Sequence, residues 1–177
     1  AYVGEKNPLE LVFEGLQRRE YRGYDSAEIF LSNQKETELV KVAGKVSNLR
    51  EAFKNKKIID STIGIGHTRW ATHGEPNEIN AHPHKSQNSV YIVHNGIIEN
   101  YVELKEDLKK DGYEFSSQTD SELIAHLLDF YINQGQSMID AMYSAKEKLE
   151  GAYAIAAIDI KDHTNLVIAR NKSPLLI

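Results

Sequence analysis

Alternating apolar stretches gather into hairpins at the two ends of this chain, and the amphipathic helical stretches come in adjacent pairs. A doubly wound parallel sheet needs a helix after nearly every strand, so this order points to layered antiparallel sheets with helices outside. Residues 29–31 and 38–42 flank the polar Ser32-Asn33-Gln34-Lys35 as one hairpin. Residues 152–159 and 166–169 flank Lys161-Asp162-His163-Thr164-Asn165 as another. Further strands are expected at 62–68, at 90–94 and, briefly, at Tyr113 and Phe115, while Tyr2-Val3 reads as the tail of a strand.

The helices announce themselves by their starts. Asn7 suits a cap, Pro8 the first helical position and Glu10 the far side of a capping box, and Leu9, Val12, Phe13 and Leu16 then fall on one face. Ser47 is expected to cap a short helix carrying Leu49, Ala52 and Phe53. A helix over 101–110 buries Leu104 and Leu108. The longest begins at Thr119 or Asp120 and turns Leu123, Ile124, Leu127, Leu128 and Tyr131 inward. Ser137 caps a last helix with Met138, Ala141, Met142, Ala145 and Leu149 on one stripe.

Composition narrows the function. At 177 residues the chain is one domain, and a net charge of -5 with pI near 5.8 argues against a nucleic-acid partner. The longest uncharged apolar run, 152–158, is far below the roughly 18 to 20 residues of a membrane span, so no membrane association is expected. With no cysteine, disulfides, thiolate metal sites and a cysteine nucleophile are excluded for the sequence as given. The start, Ala1-Tyr2-Val3-Gly4, does not read as a signal peptide.

One stretch is too polar for a core and too rich in recognition groups for an idle loop: Gly64-Ile65-Gly66-His67-Thr68-Arg69-Trp70-Ala71-Thr72-His73-Gly74. Arg69 is suited to a carboxylate or phosphate, or to pinning its own loop through a salt bridge, and Thr72 and the backbone around His73 offer further donors. Asn95-Gly96 after a strand is either a tight turn or a pair of donors for an oxyanion. Asp120 is either a helix cap or a holder for a ligand ammonium. The long loop over 75–87 carries His82-Pro83-His84, whose spacing would suit a metal hydrolase, yet no carboxylate or cysteine completes a ligand set. No metal and no cofactor are therefore expected. From the residues alone, the chain is a layered domain with a polar pocket for a small zwitterionic or anionic ligand.

Four runs together resemble one family closely: Glu20-Tyr21-Arg22-Gly23-Tyr24-Asp25-Ser26-Ala27, Gly66 through Pro76, His94-Asn95-Gly96-Ile97-Ile98-Glu99-Asn100, and Thr119-Asp120. They resemble the glutaminase domains of glucosamine-6-phosphate synthases, the isomerising glutamine:fructose-6-phosphate amidotransferases, and the likeness continues to Ile177. The resemblance implies an α+β fold of the N-terminal-nucleophile type, a four-layer αββα sandwich of two antiparallel sheets. It implies cytoplasmic hydrolysis of L-glutamine to L-glutamate and ammonia, with an N-terminal cysteine attacking and its own amine as base. Asn95 and Gly96 would form the oxyanion hole, Arg69 would grip the substrate carboxylate and Asp120 its ammonium. Thr72 and His73 would complete the cradle, Trp70 would lie at the lid, and Arg22 and Gly23 would position the nucleophile. The full-length enzyme is expected to be a homo-oligomer whose further domains take fructose 6-phosphate.

Two departures from the family pattern stand out. The family begins with Cys-Gly-Ile and an apolar residue, and Ala1-Tyr2-Val3-Gly4 looks like the segment just after that start, so about four residues including the nucleophile are expected ahead of Ala1. Without them the chain would bind glutamine or glutamate but not hydrolyse it, the reading of a catalytically dead binding or regulatory module. Glu28 stands where the family run continues with glycine; its carboxylate is expected either to disturb the nucleophile pocket or to turn outward with its loop.

Overall fold

The elements run β1 (Tyr2–Val3), α1 (Leu9–Arg19), a 3-10 turn (Glu20–Arg22), β2 (Ser26–Ser32), β3 (Thr37–Ala43), α2 (Val46–Phe53), β4 (Ile63–Arg69), β5 (His84–Lys85), β6 (Val90–Ile98), α3 (Tyr101–Lys110), α4 (Ser121–Asn133), α5 (Met138–Lys148), β7 (Gly151–Asp159) and β8 (Leu166–Asn171). The computed structural model describes residues 1–70, 77–162 and 165–177, the side chain of Arg22 excepted. One sheet has the order β1-β4-β2-β3 and the other β5-β6-β7-β8, and every strand pair within them is antiparallel.

Three apolar layers account for the stacking. Leu9, Val12, Phe13 and Leu16 of α1 and Val46, Leu49 and Phe53 of α2 pack on one face of the first sheet against Ala27, Ile29, Leu31 and Val40. Residues of α3, α4 and α5 pack on the second sheet against Val90, Ile92, Ile98, Tyr153 and Ile155. Because successive side chains of a strand point to opposite faces, the alternate positions meet between the sheets. There Phe30, Ile63, Ile65, Tyr91 and Ile158 form the third layer, and the Phe30 and Tyr91 rings stack at 4.0 Å. The expected α+β sandwich of two antiparallel sheets between helices is the fold observed.

Local starts explain most boundaries. Asn7 Oδ1 accepts from the Leu9 N–H at 3.1 Å, while Glu10, the expected reciprocal partner, pairs instead with Arg50 at 3.1 Å. Ser137 caps α5 as its sequence foretells, accepting from the Asp140 N–H. Ser47 does not cap α2: the helix begins one residue earlier, with Lys45 at the cap position and the Val46 N–H satisfied by Glu20 Oε1 at 2.6 Å. No strand forms at Tyr113 and Phe115. The Tyr113 N–H donates to the Leu108 carbonyl at 3.0 Å, the N–H groups just beyond Phe115, those of Ser116 and Ser117, are taken by the Glu122 carboxylate, and Tyr113 is fixed inward by its bond to Asp129 Oδ2 at 3.0 Å.

The layer between the sheets yields a direct test. Phe30 is wholly buried against the Tyr91 ring, so Phe30→Ala should cost about 3 to 5 kcal/mol in denaturant unfolding. A loss below about 1 kcal/mol would show that this layer is not close-packed.

Candidate functional site

Alternation along the strands decides what occupies the far end of the space between the sheets. Counting in steps of two from Phe30 on β2 gives Glu28 and Ser26; from Ile65 on β4 it gives His67 and Arg69; from Tyr91 on β6 it gives Val93 and Asn95. The space is therefore apolar at one end and strongly polar at the other. Register aligns the polar set: on one ladder Lys41, Glu28 and His67 are neighbours across β3, β2 and β4, and on the next step Ser26 faces Arg69. Glu28, His67 and Arg69 are all buried, whereas Asn95 and Gly96 are exposed at the mouth.

His67 joins the two sheets. Its Nε2 lies 3.0 Å from Asn95 Oδ1, and its ring leans on His82, centres 4.2 Å apart and planes tilted by 41°, with His84 edge-on to His82 at 4.8 Å. Burial holds these imidazoles neutral, pushing His67 down to about 4 and His84 to about 3. A neutral His67 bonded to an amide oxygen carries its proton on Nε2, which turns the Asn95 amide nitrogen toward the open mouth. The imidazoles pack tilted and edge-on, and among the described residues no three His, Cys, Asp or Glu side chains form a metal-ligand cluster.

Backbone geometry makes two glycines obligatory. Asn95 and Gly96 are not a turn: β6 continues to Ile98, with Asn95 opposite Ala154 and Gly96 opposite Tyr153. Gly96 has φ 135°, and a Cβ there would lie 2.7 Å from the Tyr153 Cα. Gly23 lets the 20–25 turn lie flat on the end of β4, since a Cβ would meet the Arg69 carbonyl carbon at 2.8 Å and the Trp70 nitrogen at 2.9 Å. The Asp25 N–H donates to the Arg69 carbonyl at 3.0 Å, so this turn and the Arg69-Trp70 segment move as one piece.

The other predicted residues fall around this mouth. Trp70 is 59% exposed and leans on Tyr24, ring centres 6.1 Å apart. Asp120 stands at the cap position of α4, but its carboxylate does not cap the helix. Its Oδ2 accepts from the Ile98 N–H at 2.8 Å, fastening α4 to the end of β6 beside Asn95 and Gly96. His94 Nδ1 lies 2.9 Å from Ser121 Oγ and ties the same two elements. Arg22 contributes its backbone to the 3-10 turn; Thr72 and His73 lie outside the described residues.

Sequence reasoning missed the supports. Lys41 Nζ donates to the carbonyls of Ala81 at 2.7 Å and Glu78 at 3.3 Å, His84 Nε2 meets Thr119 Oγ1 at 3.0 Å, and the Gln118 N–H donates to Asn80 Oδ1 at 2.9 Å. The 77–85 segment is thereby fastened to both β3 and the approach to α4. Glu28 does not turn outward with a loop. It sits within β2, fully buried, and neither of its oxygens has a hydrogen-bond partner among the described residues. Burial pushes its carboxyl up to about 8, against the opposing pull of Ser26, Lys41 and Arg69.

Comparison with known proteins places this geometry in context. Residues 67–176 match the family described as a glutamine amidotransferase domain. The chain is 50% identical over 175 residues to a glutamine–fructose-6-phosphate aminotransferase (isomerizing) of Acinetobacter baylyi, covering 99% of this chain and 28% of that protein. It is 49% identical over 176 residues to the Haemophilus influenzae protein of the same name, at the same coverage. Among solved structures it resembles the glutamine phosphoribosylpyrophosphate amidotransferase from B. subtilis complexed with ADP and GMP, with TM-score 0.77 and 25% identity over 96% of this chain and 36% of that one. The fold is the sandwich of the N-terminal-nucleophile amidotransferases. The chain spans little more than a quarter of the relatives' length.

Buried Glu28 sets a pH dependence of stability. Its folded value of about 8 lies above the ordinary 4.5, so its cost is absent below about pH 4.5, grows as pH rises and levels off above about 8. Glu28→Gln should therefore be more stable than the unsubstituted chain by a few kcal/mol at about pH 9, with the gap closing toward pH 4.5 in denaturant titrations. A gap that is constant with pH would mean that Glu28 ionises as freely in the fold as in the open chain.

Proposed function

Because this chain belongs to the glutamine amidotransferase domain family, we propose that its site binds L-glutamine and, in a longer protein that supplies a cysteine nucleophile, hydrolyses the side-chain amide to glutamate and ammonia. The observation that carries the reading is the meeting of Asn95 and Gly96 with His67 and Arg69 at one polar end between two otherwise apolar sheets. The Arg69 fork takes the substrate α-carboxylate, and Asp120, with one oxygen on the Ile98 N–H, offers its other oxygen to the α-ammonium. That fixes the α-carbon end of the amino acid and leaves the side-chain amide, at the other end, to reach Asn95 and Gly96.

The chemistry needs a nucleophile and an acceptor for the charge that develops. A cysteine sulfur, its proton passed to its own α-amine, attacks the amide carbon, and the carbonyl oxygen becomes an oxyanion held by the Asn95 Nδ2–H and the Gly96 N–H. Collapse breaks the carbon–nitrogen bond, ammonia leaves with the returned proton, and water hydrolyses the resulting thioester. The register of β1 supports an N-terminal source for that sulfur. Tyr2 faces Gly64 and Val3 faces Ile63, so a strand extended ahead of Ala1 along β4 would bring the residue before it opposite Gly66 and the fourth one before it opposite Arg69. Trp70 and Tyr24, exposed at the mouth, are suited to cover the bound amino acid and to gate departing ammonia. In a longer protein of the relatives' kind, that ammonia would convert fructose 6-phosphate to glucosamine 6-phosphate.

Two variants of the full-length protein test this reading. Asn95→Ala should lower kcat for glutamine hydrolysis by about 100-fold to 1,000-fold with little change in KM; undiminished turnover would remove Asn95 from the reaction. Arg69→Lys keeps the charge and loses the fork, and should weaken L-glutamate binding on the order of 10-fold by calorimetry. Equal affinity in a variant of equal melting temperature would take the carboxylate away from Arg69.

A further inference from the structure

One buried group is unused by this chemistry and unexplained by packing. Glu28 is on the inner face of β2, directly across the ladder from His67, and its Oε2 lies 3.9 Å from His67 Nδ1. Among the described residues neither Glu28 oxygen nor His67 Nδ1 has a hydrogen-bond partner. A buried carboxyl oxygen thus lies 3.9 Å from a buried ring nitrogen, neither with a hydrogen bond, and a side-chain shift of about 1 Å would bring them within bonding distance. The opposite nitrogen of that ring is already on Asn95 Oδ1 at 3.0 Å.

We propose that Glu28 and His67 are positioning residues that set which way the Asn95 amide faces: a protonated Glu28 donates to His67 Nδ1, His67 donates from Nε2 to Asn95 Oδ1, and the Asn95 nitrogen is left to face the substrate. The proposal rests on the glutaminase reading only in taking Asn95 as an oxyanion donor. Two protons are shared along the Glu28–His67–Asn95 line, and with both in place every bond runs toward Asn95. When Glu28 loses its proton to solvent, the carboxylate faces the bare Nδ1 lone pair. Relief comes when the ring moves its remaining proton to Nδ1, which makes Nε2 an acceptor. Asn95 must then turn its nitrogen inward and its oxygen toward the mouth, where an acceptor repels the developing oxyanion.

The surroundings fit a switch near neutral to mildly alkaline pH. Around the pair are Lys41 from β3, Arg69 from β4 and His82 and His84 from the 77–85 segment, while His94 of β6, turned toward α4, acts on His67 through its charge alone. The Lys41 ammonium is engaged by the Ala81 and Glu78 carbonyls, so it lowers the carboxyl from a distance without bonding it. Burial outweighs these cations and holds Glu28 protonated up to about 8, while His67 stays neutral down to about 4. Glu28→Gln keeps a donor toward Nδ1 at every pH.

The test reads the His67 tautomer and turnover separately. Long-range 15N–1H spectra of the full-length protein, the His67 signal assigned by its loss in His67→Gln, should report the Nε2–H form at about pH 6.5 and a shift toward Nδ1–H by about pH 9.5. In Glu28→Gln the ring should stay Nε2–H throughout. In parallel, kcat for glutamine hydrolysis should fall about 10-fold over that range in the unsubstituted protein and hold within about 2-fold in Glu28→Gln, with KM little affected. A His67 tautomer that does not change with pH in the unsubstituted protein overturns the proposal, whatever becomes of the variant, and so does the same alkaline fall in both proteins. A tautomer that switches without any glutamine hydrolysis upholds the coupling and counts against the glutaminase reading alone.

Discussion

The bond between His67 and Asn95 stands where the apolar filling between the two sheets gives out. Up to that point Phe30, Ile63, Ile65, Tyr91 and Ile158 hold the sheets together by burial, a force without direction. Beyond it the inner faces carry Ser26, Glu28, His67, Arg69 and Asn95, and the separation of the sheets is set by one directed contact of 3.0 Å. At this end Glu28, His67 and Arg69 are buried while Asn95 and Gly96 are exposed. The same bond fixes the direction of the exposed Asn95 amide.

Around that contact, each wall is secured by bonds from elsewhere in the chain. The Ile98 N–H on Asp120 and the His94 ring beside Ser121 lock the second sheet to the start of α4. The 20–25 turn is laid on the end of β4 through Gly23 and the Asp25 N–H. Lys41, His84 and Asn80 pin the 77–85 segment across the opening. Such outer bonds carry no chemistry, but a site built from the ends of strands keeps its geometry only if those ends cannot fray. Glu28 departs from this pattern with both oxygens of its buried carboxyl unsatisfied among the described residues, and an unsatisfied carboxyl at the centre of a strand is tolerated only where stability is given up for something else.

How much of this could be read from the residues depended on whether the signal was local. The face of α1 and the Ser137 cap followed from spacing within a few residues, and both stand. Ser47 misled because the group that satisfies the start of α2 is Glu20, distant in sequence. Tyr113 and Phe115 alternate as a strand would, but a strand needs free N–H groups and Glu122 takes those of the next two residues. Asn-Gly is the commonest short turn, yet here a ladder across Ala154 and Tyr153 carries the pair straight through. Arg69, Asn95, Gly96 and Asp120 stand out as candidates because they sit in recognisable runs. The partnership of Glu28 with His67 exists only once β2 and β4 are in register, and nothing in either segment alone discloses it.

The central claim is that the polar end between the sheets is shaped for the two charged groups on the α-carbon of an amino acid. A crystal structure of the full-length protein with L-glutamate bound tests it most directly. The account predicts the α-carboxylate on the Arg69 guanidinium, the α-ammonium against Asp120, and the side-chain carboxylate within hydrogen-bonding distance of Asn95 Nδ2 and the Gly96 N–H. Glutamate bound elsewhere, or bound here with its carboxylate away from Arg69, would contradict it.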